Sequence, residues 1–276
     1  MPESTPHDSI DSTRPHQARI WAYWLGSKDN YPIDREIGDK MVTVFPEMVD
    51  IARQSRAFLT RVVRFLGEQR GIDQYLDIGT GLPAADNTHE VAQRINPRAR
   101  IVYSDNDPLV LVHARALLTG TPEGACAYLD ADVRETGRIL RTAAETLDFS
   151  RPIALMLLGV MGNVPESEDP HAIVRTLVDA LPSGSYLVVN DGTNVLGVTD
   201  DTAVDDTGRA ESIRLYVEAG ATPYYPRTPD YIAGFFEGLE LEPPGVVSTS
   251  QWRPDFVRGA EEATPVDAFC GVARKP

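Results

Sequence analysis

Short apolar runs alternate with amphipathic stretches from residue 74 onward, the pattern of a parallel α/β sheet. The runs at 74–78 (QYLDI), 100–104 (RIVYS), 125–129 (ACAYL), 153–158 (IALMLL) and 185–190 (SYLVVN) predict five strands. Their nearly continuous apolar character suits strands covered on both faces. Between them, 87–95, 108–118, 134–146 and 169–181 predict helices. Asn87 with Glu90 forms a capping-box pattern, and Pro108 and Asp169-Pro170 stand at helix starts.

Past residue 190 the pattern changes. NDGTNVLGVTDDTAVDDTG reads as a long loop of the kind that borders sites. Helices near 208–219 and 229–237 follow, and PPGVVSTSQW and DAFCGVARKP predict two last strands, an antiparallel pair at a sheet edge. Upstream, 17–70 is helical in pattern, with Phe58, Val62, Phe65 and Leu66 on one apolar face. The expected organisation is a flexible tail over 1–16, a helical cap or lid over 17–70 on the sheet's C-terminal rim, and a ligand-binding domain over 71–276.

Composition narrows the function classes. The chain has 276 residues, 42% of them hydrophobic, enough for a sizeable core. A net charge of −15 argues against nucleic-acid binding, which needs clustered Lys and Arg. No apolar stretch is long enough to span a membrane, and the start lacks a secretory signal pattern. Cys126 and Cys270 read as reduced thiols, so a cytoplasmic protein is expected.

The chemistry concentrates at strand ends, where parallel sheets bind ligands. YLDIGTGLPAAD, residues 75–86, fits the dinucleotide fingerprint through Gly79, Gly81 and Ala84, and also the D-x-G-x-G opening of an S-adenosyl-L-methionine (SAM) site through Asp77. Asp105, after the second strand, stands where an acid grips a ribose diol. Asp132, after the third, can accept from an adenine amino group. The competing roles are local: helix capping for Asp105, Asp107 and Asp132, and bracing of the turn for Asp77. A pyrophosphate avoids nearby carboxylates, whereas a sulfonium cation tolerates them. Asp77, Asp86 and Asp105 around one turn therefore weigh toward SAM.

The segment LDIGTGLPAADNTHEVAQRINPRARIVYSDNDPLVLVHARALL resembles the core of an actinobacterial family of SAM-dependent methyltransferases long catalogued as a domain of unknown function. The likeness extends upstream through ARIWAYWLGSKDNYPIDREI and SRAFLTRVVRFL, and downstream to GVARKP. It implies a class I, Rossmann-like α/β fold: a seven-stranded, mostly parallel sheet ending in an antiparallel hairpin, helices on both faces, and an N-terminal helical cap. It places Asp77, Gly79, Thr80 and Gly81 against the methionine part of SAM, Asp105 on the ribose, and Asn106, Asp132 and Val133 at the adenine; Gly159, ending strand four, completes the cofactor set. Two positions depart from the family pattern: Ala84 stands where relatives often have Thr, and Gly162-Asn163 where many have a His-Phe pair.

For the acceptor, Asn163 and Asp191 are the catalytic candidates, Asp191 as a base. Tyr23, Asn30, Tyr31, Arg35 and Arg56 are candidates for the lid or substrate contact, with Arg56 or Arg61 facing the methionine carboxylate. His89, His113 and His171 lack metal-ligand spacing, so no metal is expected. The reading is a SAM-dependent methyltransferase acting by in-line transfer on a small-molecule acceptor, with no nucleic-acid or membrane partner and the oligomeric state open. The alternatives are a catalytically silent SAM-binding sensor or partner protein, and an NAD(P)-dependent oxidoreductase. The latter's Tyr-x-x-x-Lys signature is absent, since none of Lys28, Lys40 and Lys275 lies four residues after a tyrosine.

Overall fold

The computed structural model describes residues 11–110, 112, 120–196, 207–254 and 263–276. Residues 1–10 of the expected tail, most of the helix expected over 108–118 with His113, and the 197–206 part of the long loop lie outside these. In chain order the elements are α1 (Gln17–Trp24), α2 (Pro32–Val44), α3 (Met48–Arg70), β1 (Gln74–Ile78), α4 (Thr88–Ile95), β2 (Arg100–Asp105), β3 (Ala125–Asp130) and α5 (Thr136–Ala143). There follow β4 (Ala154–Leu158), α6 (Pro170–Asp179), β5 (Tyr186–Gly192), α7 (Thr207–Glu218), α8 (Pro229–Gly234), β6 (Glu240–Leu241), β7 (Val247–Ser248) and β8 (Ala268–Arg274).

The five predicted strands form a parallel block in the order β3-β2-β1-β4-β5, and β8 continues it antiparallel to β5. The sheet has eight strands because Glu240–Leu241 adds the two-residue β6 beside the two-residue β7 of the PPGVVSTSQW region, both pairing with β8. β8 is thus an inner strand, and the edge beyond it is formed by short pieces. Such short edges limit pairing with other chains.

Side-chain alternation along the strands feeds two cores. Leu76, Ile78, Leu155, Leu157, Leu187 and Val189 pack with Ile139 of α5, Val174 and Leu177 of α6 and Ile232 of α8. On the opposite face Tyr75, Ile101, Tyr103, Met156 and Val188 meet Phe58, Val62, Phe65 and Leu66 of α3. Those four α3 side chains are at most 4% exposed, each worth about 1.5–3 kcal/mol of burial. Trp252 sits edge-on between Phe58 and Phe65, with centroids 5.4 and 5.5 Å away. α3 is therefore mainly a layer of the sheet sandwich, because its apolar stripe matches the sheet face, and only its first turns, through Met48, Val49 and Ala52, join the cap.

The cap consists of α1, α2 and α7, joined through Ile20, Trp24, Ile37, Met41, Tyr216 and Ala221. Residues 11–16, expected in the tail, pack against this assembly: Pro15 is buried, and Arg14 donates to the Gly220 carbonyl (2.6 Å). Among the described residues, no helix is long and apolar enough to cross a membrane.

Candidate active site

A cavity of about 570 Å³ lies between the cap and the C-terminal ends of β1, β2, β4 and β5. Its floor is the turn after β1. Gly79 and Gly81 have φ of +73° and +66°, a region that favours glycine. A Cβ on Gly79 would stand 2.7 Å from the Val160 side chain, whereas at Gly81 it would meet nothing within 4 Å. The turn is pinned from below by Ser104, whose carbonyl accepts from the Gly79 and Thr80 N–H groups (2.8 and 3.3 Å). Space for a ligand therefore opens directly above Gly81.

Asp105 is 7% exposed and accepts from the Gly81 N–H (2.8 Å) on one oxygen and the Asp107 N–H (2.9 Å) on the other. Burial pushes its carboxyl up, against the pull of these two amides. Each oxygen keeps a further lone pair, so the carboxylate is held ready for a diol. Beside it the Asn106 amide donates to Asp132 (2.9 Å), and the Arg134 guanidinium contacts both Asp132 oxygens (2.9 and 3.1 Å). Val133, 5% exposed, gives an apolar wall next to this pair.

Asp77 is buried, accepts from the Thr88 hydroxyl (2.6 Å), and has its carboxyl raised to about 6, chiefly by burial. Arg56 also lines the cavity. It donates to the Ala85 carbonyl (3.0 and 2.7 Å) and to the Asn87 side chain (2.9 Å), bracing the loop between the turn and α4. The Glu90 side chain accepts from the Asn87 N–H (2.8 Å) at the start of α4.

This geometry separates the two readings of the glycine pattern. A dinucleotide turn runs straight into a helix whose amides face the pyrophosphate. Here α4 begins only at Thr88, seven residues after Gly81, and two buried carboxylates flank the turn. The site fits a phosphate-free, cationic ligand with a ribose diol and an adenine, which is the chemistry of SAM.

The comparisons with known proteins agree. A family model described as S-adenosyl methyltransferase matches residues 3–276. The chain belongs to the S-adenosyl methyltransferase family. Among solved structures, a DUF574 family protein from Streptomyces avermitilis is 39% identical with a TM-score of 0.89, over 97% of this chain and 100% of that one. A Thermobifida fusca protein provisionally assigned as a methyltransferase is 36% identical with a TM-score of 0.85, over 99% of each chain. No curated protein matches the chain. It is a SAM-dependent methyltransferase of the class I fold, with eight strands in place of the expected seven.

Elsewhere in the same cavity, Asp191, the next-to-last residue of β5, is 1% exposed. One carboxylate oxygen accepts from the Gly162 N–H (3.0 Å) and the Tyr224 hydroxyl (3.0 Å); the other has no partner among the described residues. Burial raises this carboxyl to about 7, against the lowering effect of the two donors and Arg227. Tyr224 also accepts from the Gly192 N–H (2.7 Å), so its hydroxyl is fixed from both sides. A Cβ on Gly162 would lie 2.3 Å from the Tyr224 ring, so the bare glycine is what admits that ring.

The structure brings Asp77, Gly79, Thr80, Gly81, Asp105, Asn106, Asp132, Val133, Gly159, Asn163, Asp191 and Arg56 together around one cavity. Four N-terminal candidates lie elsewhere. Tyr23 donates to Asp39 (2.7 Å), Arg35 donates to Asn30 (2.8 Å), and Tyr31 packs with Leu82, Leu109 and Val110. Arg61, the other carboxylate candidate, donates to the Thr249 and Trp252 carbonyls (2.5 and 3.0 Å). The residues that do close the cavity from the N-terminal side are His16, Gln17 and Arg19. His16 and Arg19 contact Asp107 (3.0 and 3.3 Å), and the His16 N–H donates to Asp34 (3.0 Å). Nothing in the polar stretch before residue 17 signals this, since its partners lie far along the chain. Arg209, Ser212, Tyr216 and Tyr224 also line the cavity without a sequence signal. Among the described residues no cluster of His, Cys, Asp or Glu is placed to hold a metal.

Proposed function

We propose that this methyltransferase acts on a small-molecule acceptor by in-line transfer, with Asp191 as the general base and the Gly79–Gly81 turn, Asp105, Asn106 and Asp132 holding the cofactor. The observation that carries the reading is the Asp191 carboxylate: buried at the end of β5, fixed through one oxygen and unpartnered at the other, in the same cavity as the cofactor turn. SAM supplies the electrophilic methyl group and leaves as S-adenosylhomocysteine.

The chain contributes position, dryness and a proton acceptor. Asp105 and Asp132 fix the nucleoside end, so the methyl group is presented from one direction, which is the main source of rate in a displacement of this kind. His16, Arg19 and the cap helices exclude water from the reacting end. A carboxyl held near 7 is half ionised at neutral pH and matched to taking a proton from an acceptor there. The cavity volume of about 570 Å³ and the net charge of −15 support a small molecule over a nucleic acid.

The test compares wild type with Asp191→Asn, following S-adenosylhomocysteine formation across an acceptor panel while checking S-adenosylhomocysteine binding. Support is loss of turnover by at least about 100-fold with cofactor binding retained. Equal turnover by the variant removes Asp191 from the mechanism.

A further inference from the structure

We propose that the acceptor atom is an amine nitrogen, received as a hydrogen-bond donor by Asp191 and Asn163. This rests on the reading of Asp191 as the base and goes on to name the substrate class.

Asp191 Oδ2 and Asn163 Oδ1 are buried without a donor among the described residues, as is Asn190 Oδ1 on the other face of β5. All three residues line the cavity. Buried acceptors of this kind are normally paired, so an unpaired set inside a ligand cavity points to what the ligand brings. The Asn163 amide is oriented by its nitrogen, which faces the Gly159 and Val160 carbonyls (3.5 and 3.4 Å); reversing it would set oxygen against oxygen.

The hydrogen bonds that neighbouring donors make run elsewhere, while Arg227 Nε and, on the cap side of the cavity, the Ser212 and Tyr216 hydroxyls are buried without a hydrogen-bond partner among the described residues. The Tyr224 hydroxyl serves the other Asp191 oxygen. Arg227 donates to the Val164 carbonyl (2.7 Å) and to Glu166 (3.1 Å), and Arg209 donates to the Asp267 carbonyl and lies over the Phe45 ring. A hydroxyl acceptor carries one proton and would satisfy only one of the two oxygens, Asp191 Oδ2 and Asn163 Oδ1. A primary amine carries two N–H groups when neutral and three when protonated, all on the reacting atom.

The step balances. The protonated amine transfers one proton to the Asp191 carboxylate, freeing the nitrogen lone pair. The N–C bond then forms as the S–CH₃ bond breaks, its electron pair going to sulfur, and the methylated ammonium product releases a proton in turn. The charged and titratable groups facing Asp191 are Tyr224, Arg227 and Arg209, with Asp77 and Asp105 across the cavity. The carboxyl near 7 is placed to accept a proton around neutral pH.

The experiment titrates the full chain saturated with S-adenosylhomocysteine with matched pairs: benzylamine against benzyl alcohol and n-butylamine against n-butanol. The expected result is amine binding at least about tenfold tighter than the alcohol, with the preference reduced at least about tenfold in both Asp191→Asn and Asn163→Ala. No amine preference, or a preference that survives both substitutions, overturns the proposal. S-adenosylhomocysteine binding in the same cell separates the outcomes. If it is intact while the preference is missing, only the amine assignment fails; if wild type does not bind it, the underlying reading fails as well.

Discussion

Gly162→Ala is the smallest change that tests the acceptor end. The added Cβ would lie 2.3 Å from Tyr224 Cζ, 2.5 Å from Cε2 and 2.7 Å from the hydroxyl oxygen, so the ring must retreat by about 1 Å to reach ordinary contact. Overpacking of this kind costs about 1–3 kcal/mol. A retreating ring also gives up its 3.0 Å bond to Asp191 and its 2.7 Å bond from the Gly192 N–H. A hydrogen bond to a charged group adds about 1.5–3 kcal/mol, for a total of about 2.5–6 kcal/mol. At about 2–4 °C per kcal/mol this lowers Tm by roughly 5–24 °C in a thermal melt. The second readout is the pH profile of turnover. The Tyr224 bond lowers the Asp191 carboxyl, so its loss moves that group above about 7 and shifts the midpoint of the basic-limb activation to higher pH. Shrinking the ring in Gly162→Ala with Tyr224→Ala should recover part of the packing loss but not the pH shift. A single variant within about 1 °C of wild type and with the same midpoint would refute the reasoning.

Three further outcomes follow from the same geometry. The native Asp191 carboxyl near 7 lies above its ordinary value of 3.8, so the folded protein binds the extra proton and this group's contribution to stability falls as pH rises from about 4 to 7. Asp191→Asn lacks that loss, and urea titrations at pH 4 and pH 8 should show the difference between variant and wild type swing toward the variant by up to about 4 kcal/mol; parallel curves would contradict it. Gly79→Ala forces a Cβ to 2.7 Å from Val160 at a φ of +73°, and should lose at least about 1–3 kcal/mol with weaker S-adenosylhomocysteine binding, measured by denaturation and calorimetry. Arg19→Ala leaves buried Asp107 and Asp34 without their guanidinium, for a loss of about 3–5 kcal/mol in urea titrations; a change under about 1 kcal/mol would show that the pair is not what holds the strap.

The parallel block was legible because strands covered on both faces must be apolar throughout, and the acids at their ends stand out against that background. The same logic located Asp105, Asp132 and Asp191 without a structure. It failed where a residue's role is set by a distant partner. His16 and Arg19 meet Asp107, and Tyr224 fills the space above Gly162, contacts that no local spacing encodes. The aromatic run WAYWLGSKDNY drew attention to Tyr23 and Tyr31, yet Trp21 and Trp24 of that run line the cavity, because helical phase directs them inward. The apolar stripe of α3 was read correctly as amphipathic, but a stripe alone does not say whether it meets a rim or a face.

The central claim is most directly tested by calorimetric titration of wild type and Asp105→Ala with S-adenosylhomocysteine, with NAD⁺ as the control. Asp105 accepts from the Gly81 and Asp107 amides, lines the cavity, and is proposed to hold the nucleoside. Micromolar binding of S-adenosylhomocysteine by wild type, weakened about 10- to 100-fold in the variant, and no binding of NAD⁺ is the result this account predicts. Binding of NAD⁺ alone, or S-adenosylhomocysteine binding that is indifferent to the loss of Asp105, would contradict it.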